Sequence, residues 1–97
     1  MNIIMDENLK YYLKSLNFED NDILNMIKTT PALQIIDYDY ALENILIVVS
    51  KGFPMEDIDS IVAINPTFLA EDHNVLRQKL ENIANIEEEL KADPFLI

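Results

Sequence analysis

The chain has 97 residues, 49% hydrophobic and 26% charged, with 18 acidic side chains against 7 basic ones and a net charge of −11. That length makes residues 1–97 one domain with enough apolar material for a core, which excludes wholesale disorder. The absence of cysteine excludes disulfides, zinc–thiolate sites and thiol catalysis, and the acidic excess argues against a generic phosphate-binding surface.

The first segment is expected to be a helix from Asp6 to Leu16. Leu9, Tyr12, Leu13 and Leu16 share one face, Asp6 stands as N-cap and Glu7 suits the first turn. The second runs from Asp20 to Thr29 on Ile23, Leu24 and Ile27, and Pro31 stops it. The third, from Asp39 to Lys51, carries Leu42, Ile45, Leu46 and Val49, widened by Ile47 and Val48. An almost all-apolar helix belongs at the centre of a fold. Gly52 fits the left-handed position after its end. The fourth opens at Pro54, read as the first helical position, with Glu56 and Asp57 in its first turn and Ile58, Ile61 and Val62 inward. The fifth runs from Asp72 to Ile83. The sixth runs from Ile86 to Ala92, with Asn85 and Glu88 at the spacing of a capping box. Residues before proline are pushed out of the helical region, so Thr30, Phe53, Asn65 and Asp93 read as helix ends. The runs from Leu33 to Tyr38 and from Ile45 to Val49 are rich in strand formers, which leaves a two-stranded ribbon as the competing reading.

These segments contain an internal spacing. Ile23, Ile58 and Ile86 each stand eight residues before a proline, at 31, 66 and 94, and Ile27, Val62 and Leu90 stand four before it. An apolar residue follows each proline: Leu33, Phe68, and the Phe95–Leu96 pair. Phe18 and Phe53, and Asp22 and Asp57, match at an offset of 35 residues, as do Ile45 and Val48 with Leu80 and Ile83. The third copy comes 28 residues after the second. Each unit reads as a short helix stopped by proline, a turn whose apolar residue tucks back, and a longer helix. Such units bury their faces only by stacking. The expected fold is therefore all-α: an array of five or six short helices in two to three proline-punctuated repeats. The run from Phe95 to Ile97 reads either as the last unit's core plug or as an exposed docking tail, and the proline register favours the plug.

The stretch from Lys51 to Ala70, with Gly52-Phe53, the acidic start Glu56-Asp57, Ile61-Val62 and Pro66-Thr67-Phe68-Leu69, followed by Leu76 to Ile83, resembles one repeat of the mitochondrial transcription termination factor family. The run from Asp6 to Phe18 looks like the closing helix of a preceding unit. The resemblance implies a curved helical solenoid and, in many members, nucleic-acid binding through a basic concave surface. This chain departs from that pattern. Its charge is −2 over residues 1–35, −5 over 36–70 and −4 over 71–97, so no third is basic. Unscreened acids repel phosphate within a Debye length, about 8 Å at physiological salt.

Catalytic and metal chemistry find little support. His73 is the only histidine and reads as a first-turn polar residue. Asp20-Asn21-Asp22 begins like a calcium loop, but Asn25 and Pro31 stand where glycine and glutamate are needed. Asp37 with Asp39, and Asp57 with Asp59, are spaced by two and share no helical face. No glycine-rich phosphate loop is present. The chain is therefore read as non-enzymatic, with no cofactor, metal or small-molecule substrate. The longest apolar run is too short for a membrane span, and the start lacks a basic leader, so a soluble, cytoplasmic protein is expected.

The expected role is that of an acidic interaction protein meeting a basic protein partner, in its sharper form an inhibitor occupying a nucleic-acid-binding site. The expected partner surface is Asp37, Tyr38, Asp39, Tyr40, Glu56, Asp57 and Asp59, from the most acidic third. Tyrosine is enriched at interface hot spots, and charge acts mainly on the on-rate. The alternatives are a helical-repeat regulator binding nucleic acid and a structural subunit of a complex.

Overall fold

In the computed structural model, which describes residues 3–97, short polar side chains start most of the helices. Asp6 accepts the Leu9 amide at 3.0 Å ahead of α1 (Glu7–Ser15). Asp22 accepts the Glu19 amide at 2.8 Å in α2 (Asp20–Thr29). Asp37 accepts the Tyr40 amide at 2.8 Å ahead of α3 (Tyr38–Ser50). After α4 (Ile58–Ile64), Asp72 accepts the amides of Asn74 and Val75 at the head of α5 (His73–Glu81). Asn85 accepts the Glu88 amide ahead of α6 (Ile86–Ala92). Each cap fills an orphan donor, and each carboxylate also meets the positive end of the helix dipole. Part of the chain's acidity therefore has a folding role.

The fold is all-α. Four 3-10 turns, Pro31–Gln34, Met55–Asp57, Pro66–Ala70 and Pro94–Leu96, join or end the helices, and no strand occurs among the described residues. The ribbon reading fails because Ile45 to Val49 lie inside α3, where burial of Ile45, Ile47 and Val48 outweighs strand propensity. Two other details differ from expectation. Pro54 is extended (φ −69°, ψ 130°) and precedes the Met55–Asp57 turn, so α4 begins only at Ile58 and Glu56 and Asp57 lie outside it. At α6 the reciprocal bond of the capping box comes from Glu89, whose Oε2 accepts the Asn85 amide at 2.7 Å; Glu88 instead meets the Asn85 side chain.

The residues before three of the prolines share one backbone conformation. Thr30 (φ −133°, ψ 80°), Asn65 (−132°, 71°) and Asp93 (−145°, 91°) each end a helix, and each donates its amide four residues back, to Met26, Ile61 and Glu89, at 2.8 Å. Two of these side chains reach forward to the next corner. Thr30 Oγ1 lies 2.7 Å from Thr67 Oγ1, and Asn65 Nδ2 donates to the Pro94 carbonyl at 2.9 Å. The ends of α1 and α3 also match. Asn17 (φ +72°) and Gly52 (φ +119°) take left-handed backbone, and Phe18 and Phe53 donate back to the Leu13 and Val48 carbonyls. This is the Schellman arrangement, in which the turn residue needs the freedom of glycine or the tolerance of asparagine.

Helix α3 packs against α1, α5 and the Pro66–Ala70 turn, and α4 against α6. The molecule measures 42 × 23 × 19 Å, the proportions of elements laid side by side along one axis. Leu9, Leu13, Ile23, Leu33, Ile45, Val48, Ile58, Ile61, Phe68 and Leu76 are fully or almost fully buried. At the C-terminal end Phe95 is 68% exposed, Leu96 is 41% exposed and Ile97 only 4%. Of these three, Ile97 is therefore the plug, while Phe95 and Leu96 face outward. No helix among the described residues is long and apolar enough to cross a membrane.

Candidate interaction surface

The residues singled out in the sequence fall into three places. Asp37, Tyr38 and Asp39 lie at the head of α3 and line, with Asp6 and Asn8, a shallow depression of about 150 Å³. Asp6 joins the two helix heads: its Oδ2 accepts the Leu9 amide and, at 3.1 Å, the Tyr38 amide. Tyr38 turns toward α1, where its ring meets that of Tyr12 with centroids 5.4 Å apart. Burial raises the Tyr12 phenol above its ordinary pKa, with smaller contributions from Tyr38 and the Asp59 carboxylate. Asp59 thus bears on the same region from α4. Both Asp37 and Asp39 are exposed.

Asp57 is elsewhere. It lines a groove of about 240 Å³ with Ser60, Ile64, Leu90, Lys91 and Pro94, and Lys91 Nζ lies 2.9 Å from its Oδ2. Lys91 also holds Glu87 at 2.8 Å; the hydrogen bonds to Glu87 and then to Asp57 raise its pKa to about 12. Asp57 is therefore paired, though it shares its lysine with Glu87, whereas Glu56 beside it stays exposed.

Tyr40 belongs to a third site, the seam between α3 and α5. Its hydroxyl donates to the Glu71 carbonyl at 2.8 Å, and its ring stacks on His73 with centroids 4.1 Å apart. Burial, followed by the carboxylates of Asp72, Glu71 and Glu43, raises the phenol's pKa. At the centre of the seam stands Asn44, fully buried, whose Nδ2 shares its two hydrogens among the carbonyls of Phe68 (2.9 Å), Leu69 (3.2 Å) and Glu71 (2.9 Å). Its Oδ1 lies 2.6 Å from His73 Nδ1, and His73 Nε2 lies 3.1 Å from Glu43 Oε2. His73 is indeed the first residue of α5, but it also bridges two helices. Sequence reasoning missed Asn44; the available signal was a lone amide on the buried side of an otherwise apolar helix.

Most of the cations are engaged. Lys10 pairs with Glu7, Lys14 with Asp20, Arg77 with Glu43, Lys79 with Glu71, and Lys91 with Asp57 and Glu87. The Lys14–Asp20 contact at 2.8 Å raises the lysine's pKa and lowers the aspartate's. These pairs are solvated, and each adds little stability. Their consequence for recognition is greater, because they spread the positive charge among carboxylates instead of gathering it into a stripe. Comparison with family models, curated proteins and solved structures finds no match to the chain.

Proposed function

We propose that this chain is a non-catalytic interaction protein whose acidic surface meets a basic protein partner. The observation that carries the reading is the division of charge. Five of the seven cations pair with carboxylates, while Asp37, Asp39, Glu56 and Asp59 stand in no ion pair among the described residues. Asp37 and Asp39 are both exposed, while the half-buried Tyr38 between them turns its ring toward Tyr12. Carboxylates of this kind accelerate encounter with a cationic surface, and the aromatic and apolar contacts around them supply affinity. In its sharper form the proposal has the acidic face occupy a site where the partner binds nucleic-acid phosphates. Tyr40 is withdrawn from the proposed contact set because it is committed to the seam, and Asp57 counts less because Lys91 covers it.

A second reading is a helical-repeat regulator that binds nucleic acid. The recurrence of one corner conformation at Thr30, Asn65 and Asp93 favours it. The distribution of cations weighs against it, since binding phosphate needs clustered Lys and Arg. Affinity capture from lysate, run with and without nuclease and eluted by a salt step, separates the two. The proposal expects a basic protein that survives nuclease and leaves with salt. Recovery of nucleic acid, with all protein lost after nuclease, would replace it by the second reading.

A further inference from the structure

We infer that Glu43 is a shared carboxylate: it clasps α3 to α5 through His73 when the imidazole is protonated and is left to Arg77 when it is not.

The inference starts from Asn44. Its Nδ2 faces three carbonyl oxygens, which can only accept. The amide therefore cannot be reversed, because reversal would set Oδ1 against all three. Oδ1 is thus fixed toward His73 Nδ1 at 2.6 Å, and it too can only accept. Nδ1 must carry a hydrogen in every protonation state. A neutral imidazole has one N–H, so in that state Nε2 is a bare lone pair. It would then face Glu43 Oε2 at 3.1 Å, acceptor against acceptor. Only the imidazolium satisfies both partners.

The carboxylate has somewhere to go. The Glu43 side chain is 51% exposed, and Arg77 Nη2, one turn along α5 from His73, already lies 3.9 Å from the same Oε2. The ring is the fixed member: it is held by Asn44 and stacked on Tyr40, with its side chain 23% exposed. Other charges near the ring are already committed. Glu71 pairs with Lys79 at 2.9 Å, Asp72 caps α5, and the Tyr40 hydroxyl donates to the Glu71 carbonyl. The sign follows from the hydrogen count: the clasp is present where the ring carries both N–H groups and is lost when Nε2 gives up its own. The consequence is a change in how α3 is tied to α5 and in the charge displayed beside Tyr40.

The inference rests on the seam alone and stands or falls independently of the partner reading. The test uses the intact chain, whose single histidine gives one unambiguous signal. Long-range proton–nitrogen correlation spectra should show both ring nitrogens protonated at the acid limit. At the alkaline limit the remaining proton should be on Nδ1, the tautomer that free histidine populates less. A double-mutant cycle of Glu43→Gln with His73→Gln should show coupling at the acid limit of the histidine signal, about two- to fivefold in the folded-to-unfolded ratio, and none at its alkaline limit. The cycle of Glu43→Gln with Arg77→Gln should gain coupling over the same rise in pH. A neutral ring protonated on Nε2, or Glu43–His73 coupling equal at the two pH values, would overturn the inference.

Discussion

Replacing Asn44 by alanine tests the seam as the organising contact of the fold. The side chain is fully buried and makes four polar contacts, three to backbone carbonyls and one to His73. Two of those carbonyls keep another donor: Phe68 O accepts the Glu71 amide at 3.3 Å, and Glu71 O accepts the Tyr40 hydroxyl at 2.8 Å. The Leu69 carbonyl and the His73 Nδ1–H bear the main loss. A buried group left unsatisfied costs about 1–3 kcal/mol, and a lost hydrogen bond whose partner is otherwise served costs about 0.5–1.5 kcal/mol. Water reaching the partly exposed ring softens the His73 share, so the expected loss is about 2–4 kcal/mol. For a domain of this size that lowers Tm by about 10–25 °C. Urea denaturation with circular dichroism, followed to both baselines, measures it. Asn44→Asp keeps the shape but turns an acceptor toward three carbonyls, and it should destabilise at least as much as alanine. A loss below about 1 kcal/mol for Asn44→Ala, or an Asp variant as stable as the parent, would refute this account of the seam.

Other consequences can be measured on the same scale. Gly52→Ala should cost about 1–2 kcal/mol from backbone strain at φ +119°, because the added Cβ would meet Ile86 Cβ at an unstrained 3.9 Å. Asn17→Gly at φ +72° should be neutral or mildly stabilising in the same denaturation assay. Ile97→Asp should destabilise strongly, whereas Phe95→Asp should change stability by less than about 0.5 kcal/mol, since only the first is buried. Lys91 should titrate at about 12 by carbon-13 NMR, and Glu87→Gln should bring it back toward 10.5. Since the folded value is raised, this pairing contributes below the ordinary lysine value and is lost as pH climbs through about 12.

The helices and their ends were legible because they rest on local chemistry. Asp6, Gly52 and the residues before Pro31, Pro66 and Pro94 act through their own backbone and the turn beside them. The apolar stripe of α3 likewise identified the central helix. What was not legible depends on packing between distant segments. Asn44 is one polar residue in an apolar run until the Pro66–Ala70 turn sets its carbonyls against it. Tyr40 and Asp57 look like surface residues beside Asp39 and Glu56; only the folded chain brings His73 to the first and Lys91 to the second. Ile97 and Phe95 are close in sequence and differ in burial because of what lies behind each one, which spacing from Pro94 does not encode.

The central claim is that exposed carboxylates at the head of α3 recruit a basic protein. The most direct measurement is quantitative affinity capture, after nuclease, with three chains compared in parallel: the parent, Asp37→Asn/Asp39→Asn, and Asp57→Asn. Asp37 caps α3, so circular dichroism must first show the double variant folded. The account predicts a salt-eluted basic partner that is retained by the parent and by Asp57→Asn and largely lost by the double variant. Equal recovery on all three chains would contradict it.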